Sequence, residues 1–302
     1  MSRAWVLGIF MGVGALTAAA AAYQGQPQGP KVIEVEKLKD NLYMLKGGGG
    51  NTAVFVGSAG VVVVDTKYPG WGQPILDKIK EVTDKPVTTI VNTHTHGDHV
   101  SGNVEFPATV DIVVQDNTKA NMQKMAAPGT QATQNVFQAN PGKGMPTRTF
   151  TDKMKIGRGA DEIDLYYFGR GHTNGDAFIV FPALRFAHAG DIFSGKNLPL
   201  LDTNNGGSGV EIGKTLAKAH AGIKNVDSVI TGHSTVMTWA DLAEYAQFNK
   251  DFLADVQAGV KAGKSPDDIA AAWKISDKYK GYRIDDARLK TNVASIAGEI
   301  KK

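Results

Sequence analysis

Apolar and polar positions alternate over short distances through most of the chain and switch to helical spacing in its last quarter. Residues 32–35, 42–45, 52–56 and 61–64 are β-rich runs separated by Asp40-Asn41 and by the glycine-bearing stretches 47–50 and 57–60, the pattern of short strands joined by tight turns. Residues 75–82 read as a short helix and 87–91 as a buried strand, followed by a strand at 110–115 and a helix at 117–125. The stretch 128–146 is rich in Gly, Pro, Gln and Asn and has no period, so it is expected to be loop, a wall over a site. Strands are predicted at 163–168, 177–181 and 184–187, a helix at 212–223 and a strand at 226–230. Leu242, Tyr245, Phe248, Phe252, Val256 and Val260 then recur at three- and four-residue steps, one apolar stripe of a helix that Gly263 closes. Ser265 and Pro266 cap a second helix, in whose first turn Asp267 and Asp268 serve the helix dipole rather than chemistry. A strand-rich stretch gives way to helix twice, around 31–125 and 148–260, which predicts two sheets with helices outside.

Composition narrows the function. The chain has 302 residues with 42% hydrophobic and 21% charged positions, an ordinary globular balance. A net charge of +3 is too near neutral for a nucleic-acid partner, and no charge block suggests a disordered tail. Cysteine is absent, which excludes disulfide scaffolds, Cys-ligated zinc, iron–sulfur clusters and thiol nucleophiles. Residues 1–22 are expected to be a signal peptide, with Arg3 at its start, an apolar stretch at 5–16 and small residues at 18–22 for cleavage. That apolar stretch is short for a membrane span, which needs about 20 residues. Its removal leaves +2, residues 23–30 form a flexible lead-in, and the mature chain is expected in the periplasm without stable membrane insertion.

The candidate chemistry starts at His94-Thr95-His96-Gly97-Asp98-His99, directly after the predicted strand 87–91. Three imidazoles and a carboxylate in six residues, held by a rigid strand, point to metal binding. Further ligands come from His172 in Gly171-His172, Asp191 in Gly190-Asp191 and His233 in Gly232-His233, each after a strand and beside a glycine that allows a sharp turn. His188 and His220 lack this context and are expected to be structural or exposed. The glycine run 47–50 lacks the Lys-Ser/Thr of a phosphate loop, and no G-x-S-x-G elbow supports a serine hydrolase.

The His94-x-His96-x-Asp98-His99 motif with the later Gly-His, Gly-Asp and Gly-His resembles the metallo-β-lactamase superfamily, over about residues 31–239. The resemblance implies an α/β fold, a four-layer αββα sandwich at 31–240 with C-terminal helices at 241–302 packed on the same domain. It implies that His94, His96 and His172 hold one metal, Asp98, His99 and His233 a second, with Asp191 bridging, and that Asp65 either supports the site from behind or starts a turn. Two zinc ions per chain are expected, with iron as the other option. A hydroxide shared by the metals would attack the carbonyl of a small ester, thioester, lactone or lactam, with Asp98 as orienter and proton acceptor. A bridging aspartate resembles the thioesterase, lactonase and general hydrolase members. A cysteine-free zinc β-lactamase and an iron-dependent sulfur dioxygenase-like enzyme are the alternatives. His96 argues against the flavin-linked di-iron reductases, which carry Glu there. Lys196 and Asn197 are placed to touch a substrate or to form a solvated turn, and Tyr68 and Trp71 to line the mouth or pack on the surface.

Overall fold

The computed structural model describes residues 31–125 and 135–301; the expected signal peptide, the lead-in and part of the expected loop at 128–146 lie outside the described residues. In the first sheet β1 (Glu34–Lys39), β2 (Leu42–Lys46), β3 (Thr52–Val56) and β4 (Val61–Val64) form an antiparallel meander. The strands β5 (Val87–Val91), β6 (Asp111–Gln115) and β7 (Arg148–Phe150) extend it in parallel, in chain order. The second sheet is built from β8 (Lys153–Ile156), β9 (Ile163–Tyr167), β10 (Ala177–Phe181), β11 (Phe186–Gly190), β12 (Ser228–Thr231) and β13 (Met237–Thr238). It runs from β13 to β8 in reverse chain order, with β11 and β12 parallel. The helices are α1 (Gly72–Val82), α2 (Gly97–Val100), α3 (Asp116–Lys124), α4 (Val136–Ala139), α5 (Ile212–Gly222), α6 (Trp239–Lys261), α7 (Pro266–Ala272) and α8 (Asp286–Ile300).

Burial explains the stacking. All four valines of β4 are buried, Val62 and Val64 in one apolar cluster and Val61 and Val63 in another, so this strand is covered on both faces. Leu42, Met44, Phe55 and Val113 of the first sheet meet Leu165, Ile179, Phe181 and Ile230 of the second in the central layer. The outer face of the first sheet packs on Ile75 and Ile79 of α1. The outer face of the second packs on Leu216 of α5, on Phe248 and Phe252 of α6 and on Val293 and Ile296 of α8. The result is the expected αββα sandwich with a helical C-terminal region.

Differences from the sequence reading are local. Residues 182–184 form a 3-10 turn and Arg185 takes φ +57°, so β11 begins at Phe186 and includes His188. Within the expected loop, Asn135 and Gln138 make a reciprocal cap on α4, a one-turn helix too short for periodicity to show. Among the described residues, no helix is long and apolar enough to cross a membrane.

Candidate metal centre

Strands of both sheets end toward one edge, and the turns after them carry the candidate ligands. The strands β4 and β5 are parallel, and β9 runs in the direction of β11 and β12, through the antiparallel β10 between them. Their carboxyl ends lead to Asp65, the 94–99 loop, His172, Asp191 and His233. At Gly190 the backbone takes φ +57° and a Cβ would collide with Thr93, so only glycine fits between the two strand ends. Asp191 follows at once on a 3-10 turn.

All seven expected donors converge. One ligand atom each from His94, His96, His172 and Asp191 lies within 4.8 Å of the others, and the same holds for Asp98, His99 and His233. Asp191 lies between the groups: its Oδ1 is 3.3 Å from His99 Nε2, and its Oδ2 is 3.2 Å from His233 Nε2 and 3.8 Å from His172 Nε2. Asp98 Oδ2 is 3.2 Å from His233 Nε2 and 3.7 Å from His99 Nε2.

The outer nitrogen of each buried ring is tied down, which sets what the inner nitrogen offers. Asp65, buried at φ +63°, accepts from Thr93 N at 2.8 Å and Thr93 Oγ1 at 2.7 Å, and from His99 Nδ1 at 2.7 Å. Thr93 Oγ1 gives its proton to Asp65 and therefore accepts from His94 Nδ1 at 2.9 Å. His172 Nδ1 donates to the Leu200 carbonyl at 2.6 Å, and His96 Nε2 donates to Asp202 Oδ2 at 2.7 Å. These acceptors leave the lone pairs of His172 Nε2 and His96 Nδ1 facing each other at 3.0 Å, a repulsive contact that a cation between them makes favourable. His94 Nε2 is buried with no hydrogen-bond partner. Orphaned imidazole nitrogens converging beside a carboxylate fit a borderline divalent metal ion.

The electrostatics agree. Burial lowers the pKa of His172 to about 4 and that of His94 well below the ordinary imidazole value, which keeps both rings neutral for ligation. Burial opposes charge on Asp191, yet His99 and the hydrogen bonds from His233 and His99 hold its carboxyl well below the usual range. His233 rises to about 9 because Asp191 and Asp98 accept its hydrogen bonds. Against the cost of burial, Asp191 and Asp65 push His99 well above its ordinary value. This corner of the cluster calls for positive charge, which a proton or a metal ion supplies.

Three supporting groups have no counterpart in the sequence reading. Thr93 and the Leu200 carbonyl orient His94 and His172, and Asp202 orients His96 from 106 residues away. Asp202 also accepts from Asn204 N and Asn205 N, so from the sequence it looks like an ordinary turn aspartate. The segment carrying Leu200 and Asp202 is braced by α8: Asn292 Nδ2 donates to the Pro199 carbonyl at 2.8 Å and Arg288 Nη1 to the Leu198 carbonyl at 3.2 Å. His188 is buried with its Nε2 3.0 Å from the Asn51 carbonyl, and His220 stacks on Trp239, so both lie outside the cluster as expected.

A family model, the metallo-beta-lactamase superfamily, matches residues 45–233, which include all seven donors. The chain belongs to the metallo-beta-lactamase superfamily. It is 27% identical to the metallo-beta-lactamase type 2 of Elizabethkingia meningoseptica, over 85% of this chain and 97% of that protein. It is 28% identical to a hydroxyacylglutathione hydrolase from a Synechococcus strain, over 56% of this chain and 53% of that one. Among solved structures it is similar to the stereoselective inverting sec-alkylsulfatase Pisa1 from Pseudomonas sp., at a TM-score of 0.70 and 14% identity, covering 89% of this chain and 50% of that one. The chain thus spans about half the length of the second relative and of the sulfatase, and the last likeness is one of fold alone. The chain is a hydrolase of this superfamily, and its His/Asp donor set is that of a divalent-metal site.

Two cavities of this superfamily member reach the cluster from opposite groups of ligands. One of about 530 Å³ is lined by His96, Asp202 and the half-exposed Tyr68. The other, of about 560 Å³, is lined by His233, Ser194 and Asn197. Trp71 instead packs with the outer layer beside α1. Lys196 is ion-paired with Asp241 at 2.8 Å and Glu244 at 3.0 Å.

Proposed function

We propose that the chain is a di-zinc hydrolase that adds water to the carbonyl of a small ester, thioester, lactone or lactam. The observation that supports it is the facing pair of oriented donor nitrogens on His96 and His172, with Asp191 lying between that group and the His99–His233 group. His94, His96 and His172 would hold one metal, Asp98, His99 and His233 the other, and Asp191 would touch both. Bound there, zinc supplies a water of lowered pKa and a Lewis acid for the carbonyl oxygen.

The side chains of this chain do the rest. Asp65, Thr93, Asp202 and the Leu200 carbonyl hold four rings at fixed tautomers, so no reorganisation is needed when charge develops. Asp98, 3.2 Å from His233 and partly open to solvent, takes a proton from the attacking water. The carbon–oxygen, –nitrogen or –sulfur bond then breaks, and that proton goes to the leaving atom. Two carbonyl-cleaving readings draw on the relatives: a lactam amide, from the beta-lactamase, and a thioester, from the hydroxyacylglutathione hydrolase. The mature chain would be exported to the periplasm and act on a small molecule, with no nucleic-acid partner.

The test joins metal analysis of the purified chain to a panel of lactone, thioester, phosphodiester and β-lactam substrates. Zinc near two per chain with carbonyl cleavage is the expected outcome, and His96→Ala and Asp191→Ala should lose metal and turnover together. Iron in place of zinc, or cleavage of the phosphodiester alone, would overturn the reading.

A further inference from the structure

A buried histidine outside the donor set stands three residues before Asp191. We propose that His188 is a positioning residue: its ring fixes the bulge at the end of β11 and so aims Asp191 between the two groups of donors. This rests on the hydrolase reading above, in which Asp191 touches both metals, and names the side chain that puts Asp191 there.

Strand alternation alone would send Asp191 the wrong way. In β11, Phe186 faces the central layer between the sheets, whereas Ala187 and Ala189 pack in the outer layer with residues of α5, α6 and α8. Continued alternation would carry Asp191 to the helical side with those alanines. The chain breaks step first. His188 pairs with Ile230 and Gly190 with Thr231, so two steps along β11 oppose one along β12, the signature of a bulge. Gly190 then turns at φ +57° and ψ −146°, and Asp191 comes to lie beside His99, His172 and His233.

His188 supplies the bond that holds this break. Its Nδ1 accepts the Gly190 N–H at 3.1 Å, so a side chain rather than a neighbouring strand satisfies that buried donor. The ring is held at its other end too. Its Nε2 donates at 3.0 Å to the carbonyl of Asn51, the residue before β3, and Asn51 N is itself tied to the Gly232 carbonyl at 2.7 Å. With one nitrogen accepting and the other donating, the ring is neutral and has a single tautomer. Neither bond reaches one of the seven donors, so His188 acts on Asp191 through the backbone.

The two ring nitrogens are tested separately on the full chain. His188→Asn places an Oδ1 near the position of Nδ1 and keeps the acceptor for Gly190. His188→Gln places an Nε2 near that of the ring and keeps only the donor for Asn51. In competition with a chromogenic chelator, His188→Gln should bind zinc about 10- to 100-fold more weakly than wild type, the usual cost of losing an outer support. His188→Asn should bind it at least about tenfold more tightly than His188→Gln. A ring that merely fills space would cost stability in both variants and separate their zinc affinities in neither, which would overturn the proposal. A second measurement needs no metal. In the metal-free chain the Gly190 amide should exchange with solvent at least about tenfold faster in His188→Gln than in wild type or His188→Asn, with the Ala187 and Val229 amides unchanged. Equal Gly190 exchange in all three would also overturn it. Should His188→Gln fold poorly, His188→Asn decides alone: Gly190 protection and zinc affinity near those of wild type uphold the proposal, and loss of either overturns it. Gly190 released in His188→Gln, together with a wild type that cleaves none of the carbonyl panel, would uphold the positioning of Asp191 and remove the hydrolase reading.

Discussion

At the scale of single residues, the ligands depend on groups that never face a metal. Asp202 fixes the proton of His96 and thereby turns Nδ1 toward His172. Its carboxyl is held well below the usual range, chiefly by that hydrogen bond. Asp202→Ala is expected to weaken metal binding about 10- to 100-fold, with Asp202→Asn recovering part of it; competition with a chromogenic chelator reads both, and wild-type affinity in Asp202→Ala would contradict the role. Lys67 supports the site differently. It is fully buried at φ +67°, and its Nζ donates to the Leu45 carbonyl at 2.9 Å and the Gly50 carbonyl at 2.7 Å. Burial lowers its pKa to about 7, against the opposing pull of Asp65 and Asp98, from 10.5. Between those values the unfolded chain holds one more proton at this residue, so stability rises with pH from about 7 to 10.5, and the cost is largest below 7. Urea unfolding of the metal-free chain should show a rise across that window that Lys67→Met flattens, and identical slopes would refute the assignment. Such residues explain what could be read from the chain alone. The seven donors stand out because imidazoles cluster or follow strands beside glycine. Thr93, Lys67 and Asp202 have ordinary local surroundings, and only partners distant in sequence give them a role.

Elements were legible where they are long or periodic. The stripe of α6 and the valine run of β4 are visible because each buries a regular set of positions. The strands β7 and β8 are only three and four residues long and partly exposed, too short for alternation to separate them from loop. The helices of the C-terminal region also differ in what they do for the site, and two variants separate these duties. Thr238 caps α6 through a reciprocal bond with Asp241; Thr238→Ala should cost about 1 kcal/mol of stability with metal affinity unchanged. Asn292 in α8 donates to the Pro199 carbonyl, one residue before Leu200, whose own carbonyl orients His172. Asn292→Ala leaves a buried carbonyl without its donor, about 1–3 kcal/mol, and should lower metal affinity as well. Parallel denaturant and metal titrations distinguish the two, and equal metal affinities in both variants would show that α8 does not brace the site.

For the whole molecule, the metal cluster joins the two sheets at one edge, because Asp65 and the 94–99 loop come from the first and His172, Asp191 and His233 from the second. Metal bound to such a site stabilises the folded chain by mass action. Chelation is therefore expected to lower Tm by roughly 8–16 °C, from about 4 kcal/mol at a thousandfold excess over Kd and about 2–4 °C per kcal/mol for a large single domain. Differential scanning calorimetry with and without chelator measures it, and an unchanged Tm would mean that the cluster holds no ion in the folded state.

The bonds from α8 to the 198–202 segment carry a further consequence for the life of the protein. If a protease cut just ahead of Asp286 and α8 dissociated, the bonds from Arg288 and Asn292 would go together with the packing of Val293 and Ile296 on the second sheet. Helix signal, stability and metal affinity would then fall together, because one helix serves both the outer layer of the fold and the segment that orients His172 and His96.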